Sequence, residues 1–155
     1  MKYVKVHSTD FFNQHNYDAI IERIQSLSPN DNPLWGTMNA GQMLQHLNKA
    51  IGGGLGFFQF EDRSNLITRT IVKYVVLDVM KSFLKGTSTP KVLEATNPDS
   101  FDKEKAQLID ILTKGYQTTS DNEWQHHPYF GVMTRDEWGK LIMIHVHHHL
   151  QQFNR

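Results

Sequence analysis

The sequence predicts an all-α domain, packed as an antiparallel four-helix bundle with an extra short helix and loops. Three observations carry this. Four or five segments place apolar residues at helical spacing. Strand-type alternation is scarce throughout. Proline, glycine and capping residues fall between the segments, where a bundle needs its turns. Helices of this length bury their apolar stripes most simply against one another, and bundle interiors often carry metal sites.

Asp10 to Leu27 is expected as the first helix, with Phe11, Tyr17, Ile20, Ile21 and Ile24 on one stripe. Ser28-Pro29-Asn30-Asp31-Asn32-Pro33 breaks it. The second helix follows Trp35-Gly36-Thr37-Met38, with Thr37 or Asn39 as N-cap. It carries Met43, His46, Leu47 and Ala50, and ends near Gly52-Gly53-Gly54. In the third segment, about Asn65 to Leu84, Val and Ile favour strand, whereas length and spaced charges favour a buried helix. A helix is expected there. A long connection containing Pro90 and Pro98 leads to Phe101–Tyr116, a helix with Ala106, Leu108, Ile109 and Leu112 inside. Thr118 to Gly131 is a polar loop bearing aromatics. Thr134-Arg135-Asp136-Glu137 is a capping box that starts the final helix, which runs to about Phe153. No repeat or linker divides residues 1–155, so one domain is expected.

Composition excludes several function classes. The 16 Lys and Arg balance the 16 Asp and Glu, so no net field draws the chain to nucleic acid or to an acidic membrane. Cysteine is absent, which removes disulfides, Cys–metal sites and a cysteine nucleophile. The start, Met1 to His7, has no apolar run of signal-peptide length. Arg69, Lys73, Asp78 and Lys81 interrupt the most apolar stretch and rule against a membrane span. A cytoplasmic protein is the expectation.

The run His145-Val146-His147-His148-His149 is the most informative feature. At about 100° per residue, His149 lies near 40° from His145, His148 near −60° and His147 near 200°. Trp138, Leu141, Ile142, Gln152 and Phe153 fall within roughly 80° of His145. His145 and His149 therefore sit at the centre of an apolar face, while His147 and Leu150 point away. Imidazoles buried there are either hydrogen-bonded or hold a metal. A pair on one helix needs another ligand, and His46 on the second helix is the best candidate, although alone it reads as a satisfied, partly buried histidine. Three neutral imidazoles suit zinc, nickel or ferrous iron and leave positions open for water or substrate. Ligands of this kind bind as neutral rings, so metal affinity is expected to fall as pH drops through about 6. His148 is expected as a supporting partner or subunit contact, and His147 as a solvated surface residue.

Other candidates weigh less. His126-His127-Pro128 reads as a turn in which Pro128 sets the approach to the final helix. Gly52-Gly53-Gly54-Leu55-Gly56 follows a helix and lacks the Lys-Ser/Thr sequel of a phosphate loop. Neither a Gly-x-Ser-x-Gly elbow nor a His-Glu-x-x-His motif occurs. Glu137 is expected to cap its own helix.

Together these motifs resemble the DinB/YfiT-like superfamily of metal-binding four-helix-bundle proteins, found mainly in bacteria. Its signature is one histidine on the second helix and a His-x-x-x-His pair on the last, often read as His-x-x-His-His with a Gln three residues on. That pattern maps onto His46, His145, His148, His149 and Gln152. The blocks Pro33 to Met43 and His127-Pro128-Tyr129-Phe130-Gly131, with Thr134 and Glu137-Trp138, look like one uncharacterised branch. The branch usually has an acidic residue where His147 stands. The resemblance implies that His46, His145 and His149 are ligands of a divalent metal, zinc or nickel first, with iron and manganese as alternatives.

Relatives of known function are thiol-dependent S-transferases and isomerases; others are described only as metal-dependent hydrolases. The resemblance thus implies a metal that activates a low-molecular-weight thiol or a water against a small-molecule substrate. The rival expectation is a non-catalytic module that binds a metal or small ligand. By analogy with relatives, a homodimer is the expected assembly.

Overall fold

The structure, a computed structural model, describes residues 8–155. Residues 1–7, the stretch expected to lack a targeting run, lie outside them. Among the described residues there are four α-helices: α1 (Gln14–Gln25), α2 (Ala40–Gly52), α3 (Phe101–Gln117) and α4 (Arg135–Gln152). No strand occurs among the described residues; an isolated β-bridge joins His127 to Gly131.

Each helix begins where a polar side chain can satisfy its free amides. Asn13 Oδ1 accepts from Asn16 N at 3.2 Å, so α1 starts four residues later than expected. Phe11 lies ahead of it, fully buried. Asn39, one of the two expected caps, forms a capping box with Gln42 at 2.8 and 2.9 Å. Thr134 and Glu137 form the expected box on α4, and Glu137 also pairs with Lys73 at 2.9 Å. The third segment is helical over residues 66–80, but largely π-wound, at Thr68–Val72 and Val75–Met80. Its many β-branched residues disfavour regular α winding.

The helices touch in the ring order α1–α3–α2–α4, with α2 packed most extensively on α3. Ile20, Ile24, Met43, Leu44, Leu47, Leu108, Ile111 and Leu112 fill the space between them, each essentially without exposed surface. Burying such a side chain contributes about 1.5–3 kcal/mol. The π-wound segment lies on α4, buries Leu77 and leaves Leu66, Ile67, Ile71 and Tyr74 more than half exposed.

Helix α4 corrects two expectations. It is buried on nearly every side, because α1, α2 and the π-wound segment all contact it. Leu150, expected to point away from the core, is fully buried. His147 is half-buried rather than solvated, and its Nδ1 accepts from Arg23 Nη1 of α1 at 3.0 Å. Helical phase gave the directions of these residues correctly; it could not show that a second wall stood there.

Close backbone approach fixes the end of α2. A Cβ on Gly54 would stand 2.8 Å from the Trp138 ring, so the short 3-10 turn Gly53–Leu55 requires glycine. Trp138 in turn stacks on Trp124, ring centres 5.3 Å apart. No described helix is long and apolar enough to cross a membrane.

Candidate metal centre

Helix α2 supplies His46, and α4 supplies His145 and His149 one turn apart. Their rings form a near-equilateral triangle, with centres 4.9, 4.9 and 5.1 Å apart. One ligand nitrogen from each lies within 4.8 Å of the other two. The juxtaposition depends on α2 and α4 being neighbours, which nothing in either helix's own sequence fixes.

Hydrogen bonds set the ring tautomers. Leu93 O can only accept, so the 2.9 Å contact makes His46 Nδ1 the donor and leaves a lone pair on Nε2. Gln152 Nε2 donates to Trp35 O at 2.6 Å, which turns Gln152 Oε1 toward His149 Nδ1 at 2.8 Å. His149 therefore donates from Nδ1 and also keeps its Nε2 lone pair. This is how metal-ligating histidines are generally oriented. His145 Nε2 lies 2.8 Å from His46 Nε2 and donates to it.

The donor set fits a divalent metal. Two nitrogens bound tetrahedrally at about 2.0–2.1 Å stand about 3.3 Å apart. The His46–His145 pair would open by about half an ångström, which a small side-chain adjustment supplies, and His145 would carry its proton on Nδ1. Burial is the first cause lowering the pKa of all three rings, His145 and His149 well below the ordinary histidine value. The neighbouring imidazoles push His145 and His149 further in the same direction. Rings that stay neutral in acid move proton competition for a metal below the pH of about 6 expected of free imidazole.

The triangle forms part of the wall of a cavity of about 430 Å³. Phe83, Leu84, Val72, Ile51 and Phe130 contribute apolar surface, and Thr68 and the run Thr87-Ser88-Thr89 contribute hydroxyls. No Asp, Glu, Lys or Arg among the described residues lines it. His148 borders the cavity, with its ring 5.1 Å from that of His149, but donates to none of the three; its buried Nδ1 has no hydrogen-bond partner. Leu93 and Gln152 do the supporting work expected of His148. His126 is exposed, whereas His127 lies in the cavity wall.

Three contributors were missed by sequence reasoning. Leu93 acts through its carbonyl, which carries no side-chain signal. Gln152 falls on the face of His145 and within the motif by sequence, but its role as the hydrogen-bond partner of His149 is not among the expectations. His127 occupies the turn that the sequence predicts and lines the cavity as well. No curated protein and no solved structure matches the chain. One family's sequence profile does match, across residues 8–155, and the chain belongs to that family, described as a protein of unknown function (DUF1569).

Proposed function

We infer that the protein is a metal-dependent enzyme of the DinB-like class, acting on a small molecule held beside His46, His145 and His149. The observation that carries this reading is the convergence of three imidazoles, two buried and one half-buried, on one point of a cavity wall, two with tautomers fixed by Leu93 and Gln152. The all-helical fold and the closed ring of helix contacts support the DinB-like assignment. A divalent metal held there, zinc or nickel first, supplies a lowered pKa for a water or thiol in the site and thus a nucleophile near neutral pH.

The chain's own residues do the rest. His46 and His149 present neutral nitrogens without a change of tautomer, since their protons are already committed to carbonyl oxygens. Phe83 and the other apolar walls exclude water from a substrate's reacting end. A small thiol as co-substrate accords with a chain that has no cysteine of its own.

Elemental analysis of protein purified without a histidine tag or nickel resin tests this. About one metal per chain is expected in wild type and almost none in His46→Ala or His145→Ala, with His147→Ala retaining it. No metal in wild type after addition of zinc, nickel or iron would end the reading. With metal established, rates on an ester panel and on an electrophile plus thiol separate hydrolysis from thiol transfer. Stoichiometric metal with no turnover on either would leave a binding module.

A further inference from the structure

His127 carries chemistry that the three-histidine site does not use. Its Nδ1 accepts the backbone N–H groups of both Tyr129 and Phe130 at 3.1 Å. Backbone bonds between His127 and Gly131, at 2.8 and 2.9 Å, close the same turn. A nitrogen that accepts two N–H groups cannot hold a proton, so the ring hydrogen sits on Nε2. The ring is clamped as well, stacked on Phe130 with centres 4.6 Å apart and lying against Trp138 at 5.6 Å. Burial lowers its pKa to about 4, so the neutral form persists at physiological pH.

The Nε2 edge makes no hydrogen bond to any described residue, and the ring lines the cavity. That N–H is left unpaired on a ring that lines the cavity, so a ligand oxygen can accept from it. The ligand's remaining surface is constrained by the walls. They hold hydroxyls and apolar groups but no charged side chain, so a charge lodged away from the metal point would be desolvated without a partner.

We propose that His127 is the polar anchor of the cavity, donating from Nε2–H to a carbonyl-type oxygen of an otherwise apolar, uncharged small molecule. The proposal rests on the reading of this cavity as the substrate site and narrows the substrate class for it. Any charged part of a substrate or co-substrate then lies at the metal point or outside the cavity. His127 is a specificity residue here and takes no part in the bond-making step.

A ligand-observed NMR titration tests it with three probes: 4-phenylbutan-2-one, its carboxylate counterpart 3-phenylpropanoate, and propylbenzene. Each is titrated into chelator-treated and zinc-loaded protein, wild type and His127→Asn. Asparagine Oδ1 takes the place of Nδ1 in the turn but offers no donor at the Nε2 position. In chelator-treated wild type the ketone should bind at least about tenfold tighter than the carboxylate. The ketone-to-hydrocarbon affinity ratio should fall about three- to tenfold in His127→Asn, the worth of one neutral hydrogen bond. The His127 Nε2 resonance of wild type should shift with the ketone and stay put with propylbenzene, a readout that needs no variant to fold. Equal binding of ketone and carboxylate, an unchanged ratio in a folded His127→Asn, or an unmoved Nε2 resonance would overturn the proposal. Zinc content is read on the same samples. Zinc bound without this probe pattern defeats the anchor alone, and the probe pattern without zinc binding defeats the metal-dependent reading alone.

Discussion

Individual side chains set the quality of the three-histidine point. Gln152 is the clearest case, since it holds His149 through one amide atom and the Trp35 carbonyl through the other. Gln152→Leu keeps the volume but deletes both bonds, and should weaken zinc affinity about 10–100-fold. Competition with a chromogenic chelator measures this; an unchanged affinity would mean that packing alone orients His149. His46 has no such side-chain partner, because its support is the carbonyl of Leu93, and substitution at 93 leaves that oxygen in place. The two ligands thus differ in how readily mutation can loosen them.

Among the elements, α4 bears the most. Its neighbours enclose it, and its start is tied by Thr134 and Glu137. Thr134→Ala should cost about 1 kcal/mol of stability, as cap removals do. The turn after α2 is more exacting, since Gly54 abuts the face of Trp138 and Trp138 lines the cavity. Gly54→Ala should destabilise by about 1–3 kcal/mol through overpacking. It should also disturb ligand binding, because Trp138 can yield only by moving. Chemical denaturation of both variants beside wild type checks the ranking: Gly54→Ala costing less than Thr134→Ala would show that the tryptophan side gives way easily.

For the whole molecule, buried neutral histidines couple folding to pH. Burial is the largest cause lowering His127 and His148, each to about 4, against about 6.5 in an unfolded chain. Above pH 6.5 neither state binds the proton, and the folded form is at full advantage. Between 6.5 and about 4 the unfolded chain takes up protons that the folded rings refuse, so stability falls as pH falls. Each ring contributes up to about 1.4 kcal/mol per pH unit in that window, less where solvent reaches it. Denaturant midpoints of chelator-treated protein from pH 7.5 to 4.5 should therefore decline, and His127→Asn should decline less steeply. A flat wild-type profile would contradict neutral burial. Metal should raise the melting temperature in proportion to the logarithm of its free concentration, and a chelator should reverse the rise.

Helix positions were legible because capping and periodicity are local. Asn39, Thr134 and Glu137 announce their helix ends, and the glycines after Ile51 announce theirs. The four-residue spacing of His145 and His149 was legible for the same reason, as was the place of His46 at the border of an apolar helix face. The burial of Leu150 and the Arg23 contact of His147 were not, because periodicity gives a direction and says nothing of what another helix places there. Nor could the sequence give the donor roles of His46 and His149, which depend on a carbonyl 47 residues away and on an amide turned by Trp35. His127 shows the division most plainly. Its turn was readable from the neighbouring proline, whereas its place in the cavity wall follows from the packing of that loop against Trp138, a contact made only when the chain has folded.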